Sequence, residues 1–218
     1  MDFKTTLAFL SELKEHNTKE WFDAHRKEYE AVKKDMNLLV SNLISGIVKW
    51  DHGLIGIEPK DCIFRINRDV RFSKDKSPYK TNVGAVMAKG GRKSSYAGYY
   101  IHIEPAGAFL AGGCYQPQPD QLKAIRQEID YDLPAFEKIL NHKDFKNYFN
   151  KLEGEKLSKP PKGYEADHSA AEYLKHKSFL MVHKLSDKDL MKADIENEIV
   201  KIFKAMKPLG DFLNRSLE

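Results

Sequence analysis

The 218-residue chain contains no apolar run near the roughly 20 residues that a membrane helix requires, so no membrane partner is expected. It has only two cysteines, Cys62 and Cys114, without a CxxC spacing or a histidine placed to complete a zinc site. Both lie in apolar, strand-like runs, which predicts buried reduced thiols rather than a disulfide or a nucleophile. HExxH and HxH are also absent, so no metal is expected. There is no GxSxG elbow to support serine hydrolase chemistry, and neither GxxxxGK[ST] nor GxGxxG to cradle a nucleotide in the familiar ways. No helix combines a basic stripe with a helix-turn-helix glycine turn, which argues against sequence-specific DNA reading.

Internal repeats, low-complexity tails and sharp shifts of composition are missing too, and residues 1–218 are expected to form a single domain. The opening MDFKTTLAFLSELKEHN carries an acid and a helical pattern but no signal-peptide cleavage region, so the expected compartment is the cytoplasm. Net charge is small, +4, with 41% hydrophobic and 31% charged residues. That balance permits an anionic partner without demanding one.

What is present divides by period. Residues 3–16 place Phe3, Leu7, Leu10 and Leu13 at helical spacing, and Asn17 with Glu20 resembles a capping box, predicting a second helix from about residue 18 toward Ile47. Trp21, His25 and Tyr29 recur along it as a packing stripe. From Cys62 the period becomes two. CIFRI, NVGAVMA, GYYIHIEP and GAFLAGGCY read as strands of an antiparallel meander over about 62–116, and KSFLMVHKL suggests one more strand near 177–184. Helices are expected from Pro119, near Pro134, and from Ser186 or Asp187 to the end, where Pro208 should kink or break the last one. The fold class is therefore α+β, a central antiparallel sheet covered by N-terminal and C-terminal helices.

The chemistry concentrates in RINRDVRFSKDKSPYKTN, residues 65–82. Residues 65–80 hold three Arg and three Lys against Asp69 and Asp75, a local excess equal to the net charge of the whole chain. Arginine suits planar, bidentate contacts to oxyanions, and Phe64, Phe72 and Tyr79 are interleaved with the cations. Arg65, Arg68, Arg71 and Lys76 are the candidate anion ligands, with Tyr79, Tyr100 and His102 as pocket lining. Asp69, Phe72 and Asp75 are read as structural members of the motif. His102 and Glu104 share a strand face with Tyr100, and this row offers a proton-moving pair. Gly112-Gly113 ahead of a helix either presents N–H groups to phosphate or marks a bulge.

Arg65, Arg68, Asp69, Arg71, Phe72, Asp75, Lys76 and Tyr79 also resemble the signature of a bacterial family, domain of unknown function 2461, which shares R-x-x-R-D-x-R-F followed by Asp/Asn-Lys-x-x-Tyr. KEWFDAHRKEYE, YYIHIEP, GGCYQPQPDQLKAIRQEID and PPKGY are similar to the family as well. The resemblance implies no activity, catalytic residue or cofactor. Three readings stand. The first is a phosphate-bearing small molecule or nucleotide held by the arginines, with phosphoryl or phosphodiester chemistry if the protein is an enzyme. The second is single-stranded nucleic acid, using Lys89, Arg92 and Lys93 of KGGRKSS as well. The third is an interaction protein in which the Arg-Asp motif is an internal ion-pair network.

Overall fold

A computed structural model describes residues 1–217. Helices α1 (Phe3–Glu15), α2 (Lys19–Ala24) and α3 (Arg26–Ile47) open the chain, and a short α4 (Pro59–Cys62) leads to the sheet. Strands β1 (Val83–Met87), β2 (Gly98–Ile103) and β3 (Phe109–Cys114) form the meander. Helices α5 (Pro119–Tyr131), α6 (Leu133–Asn141), α7 (Lys143–Tyr148) and α8 (Ala171–Leu174) come next. Strand β4 (Phe179–Lys184), the short α9 (Asp187–Leu190) and the long α10 (Ile195–Asn214) complete the order. The sheet order is β1-β2-β3-β4, and every neighbouring pair is antiparallel.

The alternation read from GYYIHIEP holds residue by residue. Tyr99, Ile101 and Ile103 are buried on one face, while Tyr100 and His102 point to the other. Helix α10 packs across β3 on the buried face and also against α3, so Ile199, Phe203 and Met206 meet Ile101, Leu110 and Met181 in one continuous core. Each such side chain contributes about 1.5–3 kcal/mol on burial. Gly112 makes the close approach possible, since a Cβ there would lie 3.2 Å from the Cβ of Met206. The opposite face lines the candidate site.

Several expected boundaries move. CIFRI is not a strand: Pro59 and the reciprocal Glu58–Asp61 capping box start a helical turn that takes up Cys62, and only Ile63 forms an isolated bridge, to Ala85. The second helix is two, separated at His25, whose ring stacks on Trp21 at 4.0 Å. Thr18, not Asn17, caps α2. Ser186 caps α9 rather than the terminal helix. Pro208 lies inside α10, which runs on to Asn214 because Met206, Leu209, Phe212 and Leu213 anchor both sides of it in the core. Both cysteines are free and buried, and burial pushes their thiols up, Cys62 to about 11 and Cys114 to about 12. No described helix is long and apolar enough to cross a membrane.

Candidate functional site

The uncovered face of the sheet is the floor of a cavity of about 1230 Å³. Gly84 and Val86 of β1, Tyr100 and His102 of β2, Phe109 and Ala111 of β3, and Leu180, Val182 and Lys184 of β4 contribute to it, as period-two alternation requires. His102 and Phe109 are cross-strand partners, and their rings stack at 4.6 Å. Tyr100 lies between Phe109 and Phe64, with ring centres 5.7 and 6.2 Å away.

Along this floor three polar side chains are bonded in series. The Tyr100 hydroxyl is 2.9 Å from Nδ1 of His102, and Nε2 of His102 is 3.1 Å from Oε2 of Glu104. Glu104 Oε1 accepts a bond from the Thr81 hydroxyl at 2.9 Å. With a neutral imidazole, the carboxylate selects the Nε2–H tautomer, so Nδ1 accepts the proton that Tyr100 donates. Burial, with the charge of Glu104 adding to it, pushes the Tyr100 phenol up to about 12.

One wall is built from the arginine-rich segment. Residues 66–68 pair with 78–80 as a narrow ribbon: the Lys80 N–H donates to the Ile66 carbonyl at 2.8 Å, and the Arg68 N–H to that of Pro78 at 2.9 Å. Asn17 ties the ribbon down, donating to the Tyr79 carbonyl at 3.0 Å and accepting from its N–H at 3.1 Å. This geometry sorts the expected residues. Arg65, Arg68 and Asp69 line the cavity, joined by Lys80. Arg71, Lys76 and Tyr79 do not. Arg71 lies outside in a bidentate pair with Asp69, at 2.9 and 2.7 Å. Lys76 donates to the Val70 carbonyl, and Tyr79 is buried with its ring stacked on Phe22 at 3.9 Å. Phe72 is 95% exposed at the loop tip.

Arg68 donates to Asp75, and also to the Ser77 carbonyl at 3.2 Å. Bonds from Ser77 and Arg68 hold the Asp75 carboxyl well below the usual carboxylate range. Asp75 and both members of the Arg71–Asp69 pair are solvent-exposed, while Arg68 is half-buried. Arg65 makes no ion pair among the described residues, and its charge reaches both Asp69 and Lys80. Lys80 donates to the Arg65 carbonyl at 3.0 Å over the Phe64 ring. Burial first, then the Arg65 charge, lowers its pKa.

The far rim comes from the β1–β2 turn and the segment after β3. Arg92 and Lys93 line it with Tyr96, Tyr115, Gln116 and Gln118. Arg92 is braced by a 2.6 Å bond to the Lys60 carbonyl, and the buried Gln121 amide donates to the Ser95 carbonyl. Gln118 is the N-cap of α5 and supplies no side-chain cap bond. Gly112 and Gly113 belong to β3 itself, Gly113 at φ +113° where it pairs with Leu180.

Sequence reasoning did not assign Lys80, Phe109, Gln121 or Lys184 to the site. The register that sets Phe109 opposite His102 is the signal that would have found Phe109. Among the described residues, no three His, Cys, Asp or Glu side chains gather as a metal site. No curated protein and no solved structure matches the chain. A family model described as conserved hypothetical protein (DUF2461) matches residues 5–212, nearly the whole sequence, and the chain belongs to that family.

Proposed function

We propose that the cavity over the open sheet face binds a phosphate-bearing small molecule or a nucleotide. The observation that carries this reading is the charge imbalance of the lining. Arg65, Arg68, Lys80, Arg92, Lys93 and Lys184 stand against Asp69 in the lining and Asp75, which pairs with Arg68. Among the described residues Arg65 has no ion-pair partner, and a half-buried Lys80 whose charge is disfavoured by its surroundings gains when an anion arrives. Charge-assisted contacts from guanidinium groups to phosphate oxygens are about twice as strong as neutral hydrogen bonds.

The floor supports the organic part of the ligand. Phe64, Tyr100 and Phe109 place aromatic surface beside the cations, which suits a purine or pyrimidine. The volume of about 1230 Å³ exceeds the roughly 300–1000 Å³ of ordinary small-molecule sites, leaving room for base, sugar and phosphate together. A thermal-shift screen with inorganic phosphate, nucleoside monophosphates and sugar phosphates tests the reading. At least one of them should raise Tm, and Arg65→Ala should weaken that ligand by about tenfold or more, equivalent to about 1.4 kcal/mol. A panel without effect, or one whose effects survive Arg65→Ala, contradicts it.

Exposed Tyr115 beside Arg92 and Lys93 supports a second reading, single-stranded nucleic acid drawn across the far rim. That reading requires oligonucleotide affinity that falls steeply with salt.

A further inference from the structure

We propose that Tyr100 is a catalytic nucleophile toward phosphodiesters, with His102 as its base and Glu104 and Thr81 as positioning residues. The inference rests on the phosphate-binding reading above and adds a reaction to it.

A half-buried sheet face often carries isolated polar side chains. Here consecutive outward positions of one strand segment are bonded end to end instead, Tyr100 to His102 at 2.9 Å and His102 to Glu104 at 3.1 Å. The chain is anchored beyond Glu104 by Thr81 at 2.9 Å, and the imidazole is clamped by the Phe109 ring at 4.6 Å. That is the logic of an activated nucleophile: a hydroxyl, a base within hydrogen-bond reach, and a third group that orients the base. The relay begins at Tyr100, and both Tyr100 and His102 line the cavity that Arg65, Arg68 and Lys80 flank. Lys80 and Tyr100 both approach the Phe64 ring, at 5.5 and 6.2 Å. The raised pKa of Tyr100 keeps the phenol intact at rest, so attack requires that its proton leave at the same time.

The first step forms a bond from Tyr100 Oη to phosphorus while the phenolic proton passes to Nδ1 of His102. The P–O bond to the leaving oxygen breaks, and that oxygen takes a proton from solvent. Glu104 stabilises the imidazolium, and the cations stabilise the charge on the phosphoryl oxygens. Water then attacks phosphorus and gives a proton to solvent, the P–Oη bond breaks, and Tyr100 recovers its proton from Nδ1. The sum is diester and water to monoester and alcohol.

The test uses the full chain with bis(para-nitrophenyl) phosphate as probe, following nitrophenolate absorbance and mapping adducts by mass spectrometry, and binding of inorganic phosphate is measured separately by calorimetry. Wild type should release nitrophenolate and carry the phosphoryl adduct on Tyr100. Tyr100→Phe and His102→Gln should still bind phosphate while losing release by about a hundredfold or more. Glu104→Gln, which cannot hold the imidazolium, should retain phosphate binding and displace the pH profile of release. Release that persists in Tyr100→Phe, an adduct on another residue, or phosphate binding without release in wild type overturns the inference and leaves the binding reading standing. Failure of wild type to bind inorganic phosphate or any nucleoside monophosphate or sugar phosphate overturns both.

Discussion

A Cβ at position 84 would stand 2.8 Å from the Tyr100 hydroxyl and 2.9 Å from the Ile101 carbonyl oxygen, so the ring of Tyr100 lies over bare backbone of β1. Gly84 is thus a condition for the orientation of Tyr100. Gly84→Ala is expected to destabilise the protein by about 1–3 kcal/mol through overpacking. Part of the loss should disappear in a Tyr100→Ala background, where the hydroxyl is gone and only the carbonyl contact remains. Urea denaturation of the single and double variants measures the coupling, and strict additivity would contradict the contact.

The Arg71–Asp69 pair is bidentate, yet both side chains are solvent-exposed. Exposed pairs are worth about 0–1 kcal/mol. Asp69→Ala should therefore leave the chain folded, with a denaturation midpoint close to wild type. Unfolding of that variant would restore the view that the motif is an internal network holding the fold.

Asn17 acts as a substitute strand for Tyr79, meeting both its N–H and its carbonyl. Asn17→Ala removes both bonds, at about 0.5–1.5 kcal/mol each. The expected signature is local: faster hydrogen exchange at the Tyr79 amide and weaker phosphate binding, because the ribbon carrying Arg65 and Arg68 is no longer tethered. Unchanged exchange at Tyr79 would remove Asn17 from the account.

His176 is buried, with Nδ1–H donating to the Ser178 carbonyl at 3.2 Å. Burial first, then the Lys156 charge, lowers its pKa from 6.5 to about 4. The folded state disfavours the proton, so the unfolded chain binds more of it between these values. The contribution is complete above pH 6.5 and is lost as pH falls through about 4, about 3 kcal/mol in all. Denaturation midpoints across that window should fall with pH in wild type and fall less in His176→Gln.

Much of the sheet is legible in the sequence because side chains alternate with period two. YYIHI sorts itself into a buried and an open face without tertiary knowledge, and KSFLMVHKL declares the fourth strand by its apolar run. CIFRI misleads because a capping box at Glu58 and Asp61 with Pro59 favours a helical turn locally, and nothing inside CIFRI opposes it. The arginine segment was legible in composition but not in direction. Arg65, Arg68 and Arg71 are equivalent as residue types. What separates them is the ribbon 66–68 with 78–80 and its anchor Asn17, 62 positions from Tyr79, a long-range contact that leaves no local trace. Tyr79 was drawn to the site by its neighbours in sequence, whereas its ring is claimed by Phe22.

Crystals of the full chain grown with inorganic phosphate test the central claim most directly. A tetrahedral anion within hydrogen-bond reach of Arg65 and Lys80, over the Phe64 and Tyr100 rings, is the predicted result. A cavity that holds only water, with phosphate on the exposed loop around Phe72 or nowhere, would contradict it.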